Sequence, residues 1–216
     1  MQKPFVILLS IVLLLGAGFF FLSPFGGSPT GRQNQDITKE QLLVSLKSAA
    51  EAEDYPAFAK HLKTAYEKGW NKDIDFESIE SSAYVQADQT YFIPGNYQKT
   101  LEISTIVYNQ VPQGWRFQYL RVLALEKLGR MALESPYGGS PAGRQAAEDY
   151  ANTILKMTFR PEGANLLADV YMKKIEESLQ TGNVQEAQAA YLYIKDFEVS
   201  EDRRARLNEL MFIPTD

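Results

Sequence analysis

The chain has no cysteine, and it has one histidine among 216 residues. The first absence excludes disulfides, thiolate metal sites and acylation at a lipoprotein-type cysteine. It fits an oxidising or a reducing compartment equally well. The second leaves His61 as the lone imidazole for acid–base work or metal ligation. Basic charge is also short: 22 lysines and arginines face 27 acidic residues, for a formal net charge of −5. A general nucleic-acid binder needs a basic face that displaces counterions, so the composition argues against that class. It argues equally against a polybasic clamp on anionic lipid.

One stretch lacks charge altogether. Phe5 to Leu22, FVILLSIVLLLGAGFFFL, runs for eighteen residues, which is roughly 27 Å as a helix and close to the thickness of a hydrocarbon core. Lys3 is the only charge before it. A short tail with one lysine and then an apolar run predicts a signal-anchor over residues 1–22, with the body on the extracytoplasmic side. A cleaved signal peptide is the alternative. The run is long for that, and Gly16-Ala17-Gly18 is its nearest approach to a cleavage site. The sequence thus predicts a single-pass membrane protein, with a linker over 23–36 and a helical body over 37–216.

The linker contains a segment that occurs twice. Ser23 to Gln33 reads SPFGGSPTGRQ and Ser135 to Gln145 reads SPYGGSPAGRQ, with nine of eleven positions identical. Gly and Pro at this density favour turns over regular structure. Each copy ends in Arg-Gln and feeds a helical pattern. Three readings stay open. The first is a duplicated stretch tolerated because lengthening a surface loop costs little entropy. The second is a partner-docking loop using Phe25, Arg32, Tyr137 and Arg144. The third is an anion-binding loop that presents backbone N–H groups before a helix. Neither copy is a phosphate loop or a nucleophile elbow, because G-x-x-x-x-G-K-[ST] and G-x-S-x-G are absent.

The body reads as helices throughout, so the fold class is all-α. Leu42, Leu43, Leu46, Ala49 and Ala50 share one face of a helix over about 37–52, and Thr38 with Gln41 suggests a capping box. Pro56 suits the first turn of the next helix, which carries Phe58, Leu62 and Tyr66. Gly69 to Asp75 is a loop, and a further helix runs from about Phe76 to Phe92 before Ile93-Pro94-Gly95-Asn96 turns the chain. Gly95 and Gly129 then lie 34 residues apart, each read as closing a helix. Removing twelve residues, Glu134 to Gln145, brings Ala146 and Tyr150 into register with Ala187 and Tyr191 of the following unit. Lengthening one helix by seven residues, two turns, accounts for the remainder of the interval from Gly129 to Gly182.

That register resembles the tetratricopeptide repeat. Tyr91 and Pro112 stand at its tyrosine and proline positions, and Ala164, Leu167, Ala168 and Tyr171 stand at its four first-helix positions. Thr100 departs from it, standing where a small alanine is usual. The resemblance covers repeats at 81–114, 115–160 with insertion 134–145, and 161–201, with 37–66 as a degenerate fourth. It implies an α-solenoid of three to four helix pairs, closed by a capping helix over about Ser200 to Met211. In that helix Arg203, Arg204 and Arg206 would face water while Leu207, Leu210 and Met211 cover the last pair. The resemblance also implies a partner-binding groove lined by first helices, with Val85, Gln89, Phe92, Arg116, Tyr119, Glu126, Asn165, Asp169 and Met172 facing it. This set lacks the lysine- and asparagine-rich clamp that some relatives of that family use for terminal carboxylates. Its aromatics and Arg116 would suit an extended or helical peptide. Phe92 and Tyr119 serve equally well as core.

Signals for catalysis are sparse. His61 lies beside Phe58, Leu62 and Tyr66 on a helix, where a structural role is the default. Asp73, Asp75, Glu77 and Glu80 supply carboxylates, but no glycine stands at the sixth loop place, which argues against a calcium-binding loop. The sequence therefore predicts no enzyme, no metal and no cofactor. It predicts a membrane-anchored scaffold that assembles a membrane or envelope complex through protein partners. One alternative is a permanent accessory subunit docked through the duplicated segments, and the other is a hydrolase using His61.

Overall fold

The structure is a computed structural model that describes residues 37–134, 140–157 and 160–211. The chain divides into Met1–Asp36, which lies outside the described residues, and Ile37–Asp216. The second unit is all-α. Its helices are α1 (Lys39–Glu51), α2 (Tyr55–Glu67), α3 (Ile74–Ala87), α4 (Tyr97–Gln110), α5 (Trp115–Glu134), α6 (Pro141–Leu155), α7 (Arg160–Gln180), α8 (Val184–Ile194) and α9 (Glu201–Met211). A 3₁₀ turn at Trp70–Lys72 and a π turn at Asp88–Phe92 flank α3.

Local chemistry sets where these helices begin. Thr38 and Gln41 cap α1 reciprocally, side chain to backbone in both directions. Asp54 caps α2, with Pro56 in its first turn, and Asp73, Asn96, Ser140 and Asn183 cap α3, α4, α6 and α8. Each such side chain satisfies a backbone N–H that the helix leaves unpaired, contributing about 1 kcal/mol. Gly95 and Gly182 have φ of 89° and 74°, a region open to glycine, and they turn the chain after the π turn and after α7.

Each helix packs on its successor or on the next but one. α1 meets α2 and α3, α2 meets α4, α3 meets α5, α5 meets α6 and α7, and α7 meets α8 and α9. The arrangement is helical-repeat-like, with contacts kept close along the chain. Two core clusters result, and α5 belongs to both. Phe117 and Leu120 join Phe58, Leu62 and Phe76 in the first. Val122, Leu125 and Leu133 join Leu166, Leu167 and Ile175 in the second. Thr100 fits a fully buried site because its hydroxyl donates back to the Asn96 carbonyl.

Three expectations are corrected. Gly129 does not close a helix: α5 continues to Glu134, and Gly129 is buried where a Cβ would lie 2.5 Å from Leu166 Cδ2. Close approach of α5 to α7 explains a glycine in mid-helix. The insertion is not wholly a loop either, since residues from Pro141 onward form the first turns of α6.

The third correction concerns localisation. Among the described residues no helix is long and apolar enough to cross a membrane. The longest, α7, has 21 residues but carries Arg160, Glu162, Asp169, Lys173, Lys174, Glu176 and Glu177, a charge load that a hydrocarbon core does not accommodate. The proposed span Phe5–Leu22 lies outside the described residues. The single-pass assignment is accordingly withdrawn.

Candidate functional site

The residues expected to face a groove fall into two groups. Val85, Gln89 and Arg116 come together on one trough of about 630 Å3, lined also by Ile74, Glu77, Ser78, Ser81, Ser82, Gln86 and Thr90. A second hollow, between α1 and α3, shares Ser78, Ser82 and Gln86 with it and extends to Leu43, Val44 and Lys47. The two hollows flank the exposed side of α3. The cause is local: α3 buries Phe76, Glu80, Ala83 and Ala87, and its opposite face carries short serines that leave space between neighbouring helices.

Exposed aliphatics rim this space. Val44 is 68% exposed, Ile74 79% and Val85 42%. The two nearby cations, Arg116 and Lys47, have carboxylate partners within the chain. Arg116 donates to Glu77 Oε1 at 3.0 Å and lies 3.9 Å from Glu80, and Lys47 lies 3.9 Å from Glu51. Behind the wall, Glu80 is only 2% exposed and accepts the Tyr66 hydroxyl at 3.2 Å. Burial raises the Glu80 pKa above the ordinary carboxylate value, and Arg116 and the Tyr66 hydrogen bond oppose that shift. Burial also raises the Tyr66 pKa, with Glu80 adding to it, so the phenol stays a donor. Glu53, held at φ 54°, places its carboxylate between Gln86 and Tyr91 and ties the α1–α2 turn to α3.

The second group is engaged inside the fold. Asp169 accepts Arg130 Nη1 from α5 at 2.8 Å and Arg203 from α9 at 2.7 and 2.9 Å. Glu126 accepts Arg130, and Asn165 accepts the Ser200 backbone N–H at 2.8 Å. Met172 packs on the second core cluster, and Phe92 packs on the first with its ring centroid 5.3 Å from that of Tyr97. Tyr119 is half-buried. Arg203 and Arg204 do not face water as expected. Arg203 grips Asp169, and Arg204 donates to the carbonyls of Lys195 and Phe197.

Of the docking-loop residues, Phe25, Arg32 and Tyr137 lie outside the described residues. Arg144 is on α6, where its Nη1 reaches Glu177 Oε1 at 2.6 Å. It is held within the fold. His61 is half-buried on α2. Among the described residues no group of His, Asp and Glu is arranged to hold a metal ion. Asp73 caps α3 and pairs with Lys39, a contact that lowers its pKa. The serines at 78, 81 and 82 are the residues sequence reasoning missed. Their spacing places them on one helical face with Val85 and Gln89, a signal that a helical projection of α3 contains.

Comparison of the chain with protein-family models, characterised proteins and solved structures gives no match, so the functional reading rests on residues and geometry.

Proposed function

We propose that this chain is a non-catalytic helical-repeat scaffold that holds a segment of a protein partner in the trough along α3. The observation that carries the reading is the trough itself. It is an open surface with aliphatic side chains at its rim and intrachain partners for Arg116 and Lys47. Exposed aliphatics grouped in a concavity favour contact with another chain, because covering them removes apolar surface from water.

We further read the array as tetratricopeptide-like, with α1/α2, α3/α4, α5/α6 and α7/α8 as pairs and α9 as the cap. Support comes from ion pairs between next-but-one helices. Lys39 pairs with Asp73, and Asp169 with Arg203, each across 34 residues of chain. Glu77 pairs with Arg116 and Arg130 with Asp169, each across 39. Recurring spacings near one repeat length are what stacked helix pairs generate.

The test is a bulky substitution on the exposed side of α3. Ser82→Trp fills the trough without touching a core cluster, so the helical circular dichroism and Tm should stay near wild type. Proteins that co-purify stoichiometrically with the wild-type chain should be lost. Retention of the same partners by a folded Ser82→Trp chain would contradict the trough assignment.

A further inference from the structure

Gln86 borders both hollows beside α3, and its side-chain amide has a fixed polarity. Its Nε2 donates to Glu53 Oε1 at 2.9 Å, while Glu53 Oε2 accepts the Tyr91 hydroxyl from the π turn. An ionised carboxylate has no proton to give, so the amide must point its nitrogen at Glu53 and its oxygen elsewhere. That Oε1 has no partner among the described residues, and it is not a buried atom. Glu53 itself sits at φ 54°, where glycine would be less strained, so backbone preference does not explain a glutamate at this turn. Its grip on Gln86 and Tyr91 does.

Ser78 and Ser82 stand eight and four residues before Gln86 on the same face of α3, and both are exposed. Ser45, Thr64 and Ser104 return their hydroxyls to a carbonyl of their own helix. Among the described residues Ser78 and Ser82 make no such bond. The two charged residues on the trough, Glu77 and Arg116, pair with each other at 3.0 Å. The surface is thus neutral, with one fixed acceptor and hydroxyls free to donate or accept. Spacing adds a constraint. Four residues of helix rise about 6 Å and two residues of extended chain about 6.6 Å. Alternate residues of an extended segment therefore keep step with Ser78, Ser82 and Gln86. A helical occupant would use its backbone N–H groups internally and leave Gln86 without a main-chain donor.

We infer that the trough takes an uncharged, extended segment of a protein partner and that Gln86 Oε1 accepts one of its backbone N–H groups, with Glu53 as the positioning residue. This rests on the trough as the partner site and adds the conformation and charge of what it holds. A charged segment fits worse, because Glu77 and Arg116 already neutralise each other and a further charge covered there has no counter-ion.

The test selects binders to the full chain from a displayed library of random dodecapeptides, with the Ser82→Trp chain as counter-selection, and measures synthetic copies by calorimetry. The expected binders are uncharged and extended when bound. Replacing one internal amide N–H by an ester oxygen should weaken such a peptide about tenfold, the loss expected for one hydrogen bond. Gln86→Met should cost a similar factor, and in that variant the same ester should cost nothing further. Glu53→Gln, which permits either amide orientation at Gln86, should weaken binding less than Gln86→Met does. Binders that Ser82→Trp retains, or no binders at all, would overturn the trough and this inference with it. Binders lost in Ser82→Trp that are charged or helical, or whose ester variants lose as much on Gln86→Met as on wild type, would overturn the inference and leave the trough standing.

Discussion

Arg203 on α9 grips Asp169 on α7 through two hydrogen bonds of 2.7 and 2.9 Å, and the same carboxylate accepts Arg130 from α5. One side chain thereby joins three helices that stack in succession. Two guanidinium groups converge on one carboxylate, so removing it leaves both without their acceptor. Asp169→Ala should lower the unfolding free energy by about 2 kcal/mol, in the range for hydrogen bonds to charged groups. Chemical denaturation of the variant checks the value. Hydrogen exchange should show α9 opening first, because with Arg203 released the polar ties of α9 to α7 reduce to the exposed Arg206–Glu176 pair.

Two glycines mark close helix approaches and should respond differently to alanine. At Gly163 a Cβ would lie 2.9 Å from the Leu155 backbone nitrogen and 3.0 Å from the Ala151 carbonyl oxygen. Backbone cannot swing aside, so Gly163→Ala should cost about 2 kcal/mol or more despite alanine's better helix propensity. At Gly129 the obstructing atoms belong to the Leu166 side chain, which can change rotamer. Gly129→Ala should therefore cost less than Gly163→Ala. Paired thermal melts decide the order.

Glu80 sets a pH dependence. Its pKa is raised by burial, so the folded chain holds that proton more tightly than the unfolded one. The contribution to stability is full below the unfolded-state value and is lost as pH rises through the raised folded-state value. Glu80→Gln imitates the protonated side chain and keeps an acceptor for Tyr66. Its Tm should match wild type near pH 4 and equal or exceed it at pH 7.5. A variant that is less stable at pH 7.5 but not at pH 4 would show that the Arg116 contact outweighs burial.

Much of the helical plan was legible because it depends on neighbours in sequence. The Thr38–Gln41 capping box, Pro56 in a first turn and Gly182 in a turn after an extended helix are all local signals. Long-range partners were not legible. Nothing near Arg203 in the chain signals that Asp169 will meet it, so a surface position was the default. Gly129 was misread for a similar reason: its role is set by Leu166 on another helix. Val85, Gln89 and Arg116, expected on a groove, line one trough. Asp169, Asn165 and Glu126, expected on the same groove, are taken up instead by Arg130, Arg203 and the Ser200 N–H. The membrane assignment rested on Phe5–Leu22, which lies outside the described residues, and no described helix is long and apolar enough to cross a membrane.

The most direct test of the central claim is site-specific photo-crosslinking in the native host, comparing a crosslinker at Val85 in the trough with one at Leu192 on α8. Both side chains are exposed, at 42% and 57%, so accessibility alone does not separate them. The account predicts one discrete crosslinked protein partner from Val85, absent from Leu192 and lost when Ser82→Trp is added. Equal crosslinking from the two positions, or a Val85 product that survives Ser82→Trp, would contradict it.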